Sequence, residues 1–232
     1  MIRLLKFFWW SGVAIFCAAL LSFSGAYLYL SPSLPSVESL RSIQLQIPLR
    51  VYSHDQKLIA EFGEMRRAPI AFADIPEDFI AALLSAEDDN FSQHHGVDFS
   101  SLLRAATQLL KTGQIQSGGS TITMQVAKNF FLTSERSFSR KITEILLALQ
   151  IERELSKEEI LELYVNKIYL GHRAYGIEAA AQVYYGKPIG ELSLAQMAMI
   201  AGLPKAPSAF NPLVNPTRSK ERRDWILGRM YR

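Results

Sequence analysis

The sequence lacks the means to cross-link itself and lacks a strong net charge. Cys17 is the only cysteine among 232 residues, so no intrachain disulfide can form and packing must hold the fold. The 25 Lys and Arg residues exceed the 22 Asp and Glu residues by three, too small an excess to indicate a nucleic-acid partner. The sequence shows no internal repeat and no low-complexity tract. The hydrophobic content of 49% instead predicts one sizeable packed core.

Charge is also absent from residues 7–30, a run rich in Phe, Trp, Leu and Ala that is long enough to span a bilayer as a helix. A cleaved signal peptide is the alternative, but its apolar core would be only about 7–15 residues long. Arg3 and Lys6 precede the run, which places the amino terminus in the cytoplasm by the positive-inside rule. We therefore expect a cytoplasmic tail at 1–6, a transmembrane anchor at 7–30 and an extracytoplasmic remainder.

A Pro- and Ser-rich stretch follows the apolar run, and it predicts a linker over residues 31–44. A folded domain is expected from 45 to 232. Two short apolar runs at 49–52 and 58–62 flank a polar turn and predict a β-hairpin. With an extended segment at 69–72, this is the only β structure expected in a mainly α-helical domain.

From Pro76 onward the apolar periodicity is helical. Asp74, with Glu77 three positions later, is expected to cap a helix that ends near Asp89. The other predicted helices have these signals: a cap at Asp98 with Phe99, Leu102, Leu103, Ala106, Leu109 and Leu110 on one face and a stop at Gly113; a cap at Ser120 or Thr121; an opening at Arg140; a capping box at Ser156 and Glu159 in a helix that reaches Tyr169; an Ala-rich stretch to Tyr185; a capping box at Ser193 and Gln196; and a final basic helix after Pro216.

Glu87 continues the apolar stripe of the first of these helices, since it lies four residues after Leu83 and seven after Ile80. This spacing points a carboxylate inward. Burial disfavours the charged form and raises the pKa, which suits an acid or a base in catalysis. The alternative is an ordinary solvated acid at a helix end.

A second group of residues is suited to an anionic ligand. Lys141 and Glu144 lie three apart and Arg140 and Glu144 four apart, with the base before the acid, an orientation that stabilises a helix poorly. The loop at 118–120 enters a helix amino terminus, where backbone N–H groups favour an anion. With Lys128 and Arg136, this set suits displacement of a pyrophosphate-like leaving group, while two inward carboxylates also suit glycoside hydrolysis. The abundance of cations favours transfer over hydrolysis.

Two other chemistries find little support in the sequence. His94 and His95 lie near three aspartates, but no Cys/His cluster supplies a zinc set, so no metal site is predicted and His94 is expected to hydrogen-bond within its loop. A Lys-Thr-Gly at 111–113 occurs in serine acyl-transfer enzymes, yet no Ser-x-x-Lys accompanies it. We interpret 111–113 as a helix end.

Five blocks of the sequence, in order, resemble the motifs of the peptidoglycan glycosyltransferases of family 51. They are Glu-Asp-x-x-Phe-x-x-His-x-Gly at 87–96, Gly-Gly-Ser-Thr-Ile-Thr-Met-Gln with Lys-Asn at 118–129, Arg-Lys-x-x-Glu at 140–144, the segment 157–171, and Arg-Arg through Arg-Met at 222–230. The resemblance covers about 45–230, and the early segment is most similar to class A penicillin-binding proteins of the 1A type.

The resemblance implies a lysozyme-like helical fold in two lobes, one of them a jaw embedded in the membrane. It implies that the domain polymerises lipid II, with Glu87 as the base on the 4-hydroxyl of the acceptor, inversion at the anomeric carbon and Glu144 assisting at the donor side. The substrate-binding residues that it implies are Lys128, Arg136, Arg140 and Lys141 for the pyrophosphate, Ser120, Gln125 and Asn129 for the donor sugars, and Asp88, Asn166 and Tyr169 beside them. Divalent Mg or Mn assists some members.

The expected partners are lipid II, the growing glycan chain and membrane lipid, at the bacterial cytoplasmic (inner) membrane with the domain in the periplasm. Met124 departs from the family, in which Gln is common, and this puts one donor contact in doubt. Class A members continue into a transpeptidase domain, so we expect the amino-terminal part of a bifunctional protein, with a monofunctional transferase as the alternative. A membrane-anchored scaffold that only binds glycan is the non-enzymatic hypothesis.

Overall fold

The computed structural model describes residues 2–30, 32, 34–43, 48–55, 58–63, 65–113, 119–133 and 137–231. The helices are α1 (Ile2–Leu30), α2 (Glu77–Glu87), α3 (Phe99–Thr112), α4 (Ile122–Phe131), α5 (Phe138–Glu154), α6 (Lys157–Lys167), α7 (Ile177–Tyr185), α8 (Leu194–Ala201) and α9 (Pro216–Met230). The strands are β1 (Leu49–Tyr52), β2 (Leu58–Phe62), β3 (Arg66–Arg67) and β4 (Ala174–Tyr175). The predicted mainly helical class is confirmed.

The amino-terminal helix α1 is continuous over 29 residues and covers the whole apolar run. In the part of the chain that the structure describes, no helix combines the length and the apolar character that crossing a membrane requires. The membrane-spanning role of residues 7–30 stays a prediction.

The segment predicted as a linker is only partly a linker. A 3-10 helix occupies Val37–Ser42, and its Val37 and Leu40 side chains are buried in the main core. The correction has a simple physical reason, because both residues are large aliphatics that are stabilised by removal from water. The expected start of the domain at residue 45 lies outside the described residues.

The predicted hairpin is confirmed, since β1 and β2 pair antiparallel from Leu49 opposite Phe62. The expectation of no other β structure is wrong. Strands β3 and β4 form a parallel pair, in which Arg66 lies opposite Ala174 and Arg67 opposite Tyr175. Each has only two residues, too few for an alternation of polar and apolar side chains to reveal the strand.

The predicted cap of α2 is also wrong, and the helix ends at Glu87, two residues before the predicted end near Asp89. Asp74 closes a separate 3-10 turn, Phe72–Asp74, and the residue that precedes the first turn of α2 is Pro76, which makes no side-chain cap. The fixed φ of proline allows the extended backbone observed there, −60° with a ψ of 136°, so the helix begins two residues later than an Asp74 cap would require.

The other predicted caps agree with the structure. Asp98 accepts hydrogen bonds from the first-turn amides of α3, and Gly113 ends that helix with a φ of 68°. Thr121 caps α4 through the Met124 amide, and the Ser156–Glu159 box opens α6. The helix α6 ends at Lys167, two residues before the predicted end.

The main core is built by the helices that follow residue 76. Helix α4 packs against α5 and α6, while α2 packs against α8 and α9. The largest fully buried side chains are Tyr164, Phe79, Phe91, Leu83, Ile122, Met124, Leu147, Ile151, Ile160, Leu170, Ile177 and Ile189. This packing brings the end of α2, the start of α4, the start of α5 and the middle of α9 to one side of the molecule.

Helix α3 is different, because its apolar face is turned to the outside. Phe99, Leu103 and Leu110 are 72%, 67% and 86% exposed, while Leu102 packs against a smaller second cluster. Three residues of the predicted apolar stripe are therefore exposed and do not face the core.

Candidate active site

A cleft of about 640 Å³ lies at the end of α2 and collects most of the residues that the sequence analysis singled out. The predicted site residues in its lining are Glu87, Asp88, Ser120, Gln125, Lys128, Arg140, Lys141 and Glu144. The unpredicted residues that line it beside them include Arg104, Gln108, Lys205, Arg222, Trp225 and Arg229. Both predicted carboxylates and three of the four predicted pyrophosphate cations therefore share one cavity.

Glu87 is the nearly buried acid of this cleft, with 11% of its side chain exposed. Burial raises the pKa of its carboxyl group, and this effect exceeds the lowering by a hydrogen bond from Gln125 and by the positive charge of Arg222. The Arg222 guanidinium lies 3.8 Å from Glu87 Oε1, which is an ion-pair distance but too long for a hydrogen bond. The predicted inward orientation of Glu87 is confirmed.

Gln125 links Glu87 to the core. Its side-chain amide donates to Glu87 Oε2 over 3.1 Å, and its carbonyl oxygen accepts from the Tyr164 hydroxyl over 3.2 Å. Tyr164 is fully buried, and desolvation raises the pKa of its phenol well above the usual value, so the hydroxyl stays a donor. This chain of hydrogen bonds holds the Gln125 amide nitrogen towards Glu87.

Asp88 and His94 form a buried pair behind Glu87. His94 Nε2 lies 3.0 Å from one Asp88 oxygen and 3.1 Å from the other, and the second oxygen also accepts from the Ile122 amide over 3.0 Å. The pair ties the end of α2 to the first turn of α4. The expectation that His94 bonds within its own loop is confirmed, and Asp88 supports the site although it also lines the cleft.

Glu144 is buried on the wall formed by α5, and its charge is paired. Lys141 Nζ donates to Glu144 Oε1 over 2.6 Å and to Ser120 Oγ over 2.7 Å. One ammonium group thus joins the start of α5 to the glycine loop. The predicted placement of Lys141 and Glu144 on one helix surface is confirmed, and the ammonium is held at the cleft surface by two partners.

Two further cations stand on this wall. Lys128 is exposed on α4, and Arg140 is half-buried in the first turn of α5. The buried Arg140 Nε has no hydrogen-bond partner among the residues that the structure describes. A guanidinium in that position can bind an anionic oxygen from the cleft side.

Three other predicted site residues, all described, are not in the cleft lining. Asn166 is buried elsewhere, where its side chain exchanges two hydrogen bonds with the Ile70 backbone. Tyr169 is partly exposed and its ring lies 5.0 Å from that of Tyr175. Asn129 is half-buried on α4, and Arg136 lies outside the described residues.

Sequence reasoning missed the wall opposite α5. Lys205 follows α8, and Arg222, Trp225 and Arg229 lie on one side of α9. The fifth sequence block contained both arginines, but nothing in its spacing showed that they reach the end of α2. Lys205 had no signal of its own in the sequence.

The described residues contain no group of three or more His, Cys, Asp or Glu side chains that could hold a metal ion. The side chains do not by themselves fit the Mg or Mn that the family resemblance implies, and that cofactor stays a prediction. Met124 is fully buried, so the side chain that departs from the family pattern cannot reach a donor sugar.

The model of the family described as Transglycosylase matches residues 55–231. The chain belongs to this family and is a peptidoglycan glycosyltransferase enzyme. The predicted resemblance to class A penicillin-binding proteins of the 1A type is confirmed by the relatives.

Several curated relatives carry the name penicillin-binding protein 1A, and two of them show the extent of the match. The Pseudomonas aeruginosa protein is 80% identical over 230 residues, 99% of this chain and 28% of the relative. The Escherichia coli K12 protein is 53% identical over 209 residues, 90% of this chain and 25% of the relative. The match to a crystal structure of penicillin-binding protein 1A from Haemophilus influenzae covers 81% of this chain and 18% of the Haemophilus chain. The two are 36% identical, and the TM-score is 0.43. The chain spans about a quarter of the length of the curated relatives.

Proposed function

We propose that this domain polymerises lipid II into glycan strands by inverting glycosyl transfer. Glu87 takes the proton of the acceptor 4-hydroxyl as that oxygen bonds to the anomeric carbon of the donor chain. The bond between this carbon and the lipid-linked diphosphate breaks, and its electron pair leaves with the diphosphate. One glycosidic bond is formed for each lipid diphosphate released.

The observation that carries this proposal is the environment of Glu87. A carboxylate that is nearly buried, with a pKa raised by desolvation, has the increased proton affinity of a general base. It lies in the same cleft as a wall of cations, so a proton acceptor and an anion-binding surface face one substrate-sized cavity.

The leaving diphosphate is assigned to the wall of α4 and α5. Lys128, Arg140 and Lys141 supply positive charge there, and the hydroxyl of Ser120 is already bonded to Lys141. Developing negative charge on diphosphate oxygens is stabilised by such groups, whereas a sugar leaving group would need a proton from an acid. Glu144 is bonded to Lys141 and so holds that cation in place. This favours transfer over the hydrolase alternative.

We place the domain at the outer surface of the cytoplasmic membrane, with α1 as its anchor. Two sets of exposed apolar side chains support this placement: Phe7, Phe8, Trp9, Trp10, Ile15 and Phe16 on α1, and Phe99, Leu103 and Leu110 on α3. Surfaces of this kind are stabilised when their apolar side chains enter the interface of a bilayer. The two-lobed, lysozyme-like arrangement with a lipid-contacting jaw belongs to the same proposal.

The test is polymerisation of purified lipid II by the wild type and by Glu87→Gln. We expect long glycan from the wild type and a loss of at least about 100-fold in rate for the variant, since the amide cannot accept the proton. Binding of lipid II should be retained, because the amide has the same shape.

Glu158→Gln is the matched control, since it makes the same chemical change at an exposed position of α6 outside the cleft lining. It should polymerise at the wild-type rate. Polymer formation by Glu87→Gln would remove Glu87 as the base. Release of reducing sugars from finished wall material without lipid II would support the hydrolase instead, and retention of glycan without any product would support the scaffold.

A further inference from the structure

Trp225 lies at the lip of the cleft on the inner side of α9, with 43% of its surface exposed. The guanidinium of Arg222 lies 4.3 Å from the centre of its ring and that of Arg229 lies 4.9 Å away. Both are distances at which a cation is attracted to an indole ring. Since the two arginines precede and follow Trp225 by three and four residues, the ring lies between two like charges on one face of the helix.

Both arginines reach the end of α2, where Glu87 lies. Arg222 Nη2 is 3.8 Å from Glu87 Oε1 and donates to the Ala86 carbonyl oxygen over 3.3 Å. Arg229 forms an ion pair with Asp89. Helix α9 therefore holds residues 86–89 through two cations, and the indole separates these cations from each other.

The position of Arg222 depends on this ring more than on hydrogen bonds. Its buried Nε has no hydrogen-bond partner in the described ranges, and its contact with Glu87 is longer than a hydrogen bond. The second ring near it, that of Phe210, is 5.9 Å away, against 4.3 Å for Trp225. Without the indole, one long hydrogen bond to Ala86, the 3.8 Å ion pair with Glu87 and a distant ring remain to fix the guanidinium.

We propose that Trp225 is a positioning residue for the transfer reaction, which holds the Arg222 guanidinium against Glu87 and so sets the pH at which Glu87 becomes a base. The inference rests on the proposed role of Glu87. The positive charge of Arg222 lowers the pKa of Glu87 against the dominant effect of burial. When Arg222 is displaced, this lowering is lost and the pKa of Glu87 rises further.

Besides Arg222, charged and titratable groups from several elements lie around Glu87. They are Arg229 on α9, Lys205 after α8, Asp88 and Asp89 at the end of α2, and Tyr164 on α6. Lys205 lowers the pKa and Asp88 raises it. Of the two cations that lower it, only Arg222 contacts the indole.

The test is the pH dependence of lipid II polymerisation by Trp225→Leu, with kcat and KM measured separately. We expect the acidic limb of the kcat/KM profile to move to higher pH by about half a unit, which lowers kcat/KM on that limb about threefold. The plateau at high pH should stay within about twofold of the wild type, because Glu87 is fully ionised there whatever its pKa. The ¹³C chemical shift of the Glu87 carboxyl, assigned with Glu87→Gln, should titrate with the same displacement.

Two further variants separate positioning from simple loss of packing. Trp225→Phe keeps an aromatic face, so its limb should return to within about 0.2 units of the wild type. Phe130→Leu removes a ring that lies 4.9 Å from Lys167, outside the cleft lining, and should leave the limb unmoved even if the protein melts earlier.

A Trp225→Leu profile that falls equally at every pH would overturn the inference, and so would a raised KM with an unmoved limb, which would mean that the ring contacts substrate directly. The proposed function fails separately, through an active Glu87→Gln variant. If Glu87→Gln is inactive while neither the limb nor the ¹³C titration of Trp225→Leu moves, only the positioning role is lost.

Discussion

At the scale of single residues, the Asp98 carboxylate accepts several hydrogen bonds from the two serines that follow it closely. One carboxylate oxygen accepts from the Ser100 amide and hydroxyl over 2.9 and 2.6 Å, and the other accepts from the Ser101 hydroxyl. The side-chain bonds from Ser100 and Ser101 hold the pKa of Asp98 well below its usual range. Because Asp98 starts α3, these bonds fix where that helix leaves the cleft.

Replacement of this cap tests its energetic value. Asp98→Ala should lower the free energy of unfolding at pH 7 by about 1 kcal/mol, the usual loss for an amino-terminal cap. The folded pKa of Asp98 is depressed, so the stabilisation by its charge is complete above the unfolded pKa of about 3.9 and is lost as the pH falls towards the folded value.

Denaturant unfolding at pH 7 and at pH 3 measures both effects. The difference in stability between the wild type and Asp98→Asn, which keeps an acceptor oxygen but no charge, should shrink as the pH falls below about 4. A difference that is equal at both values would show that the charge adds nothing to the cap.

Residues whose partners are near in sequence were the predictable ones. Asp98, Thr121 and Ser156 cap helices that begin directly after them, and these interactions could be read from spacing. The contact of Arg222 with Glu87 could not, because it depends on how α9 packs against α2. The periodicity of α2 predicted that Glu87 points inward, but it could not say which cations would meet it.

At the scale of elements, the turn between α2 and α3 is held by a close approach of backbones. Gly96 has a φ of 87°, and a Cβ built on it would lie 2.6 Å from the Ala148 carbonyl oxygen of α5. Gly113, at the end of α3, has a similar φ of 68°, but among the described residues no atom lies within 4 Å of a Cβ built on it. Replacing Gly113 with alanine therefore adds conformational strain alone, whereas replacing Gly96 adds the same strain and a steric clash.

Gly96→Ala should destabilise the domain by about 3 kcal/mol, since left-handed strain of about 1 kcal/mol adds to a backbone clash. Gly113→Ala should lose only about 1 kcal/mol, the strain alone. Denaturant unfolding of the two variants measures the difference. Equal losses would mean that α5 can move away from the turn without cost, which the close packing of the protein interior argues against.

The sequence predicted where helices and strands form better than it predicted which of them pack or pair together. The hairpin of β1 and β2 was found because its strands are adjacent and joined by a polar turn. Strands β3 and β4 pair across more than a hundred residues with two residues each, and only the folded chain brings them together. The stripe of α3 was seen correctly, but periodicity does not say whether an apolar face meets a core or a different surface.

At the scale of the whole molecule, the exposed face of α3 predicts where the domain meets lipid. Cys17 is the only cysteine, so a Cys17→Ser background allows one spin label at a chosen site. In proteoliposomes, a label at Leu103→Cys or Leu110→Cys should be more accessible to oxygen than to a water-soluble nickel chelate. A label at Glu158→Cys should show the reverse, since Glu158 is exposed on α6 outside both apolar sets. Water-like accessibility at all three sites would contradict lipid contact by α3.

The assembly of the molecule explains which parts of the site stayed hidden in the sequence. The wall of α4 and α5 comes from one continuous stretch, 119–144, so its residues were grouped correctly. The opposite wall comes from residues 204–229, and it meets α2 only because α8 and α9 pack there.

The packing of α9 on α2 also has a consequence for the folding of the chain during its synthesis. Chain synthesis runs from the amino terminus, and Arg222, Trp225 and Arg229 are among the last residues of the domain to be made. Until they dock, Glu87 lacks the Arg222 guanidinium that lies 3.8 Å from its Oε1. A nascent chain whose α9 has not yet docked therefore holds Glu87 with a pKa that this positive charge does not lower.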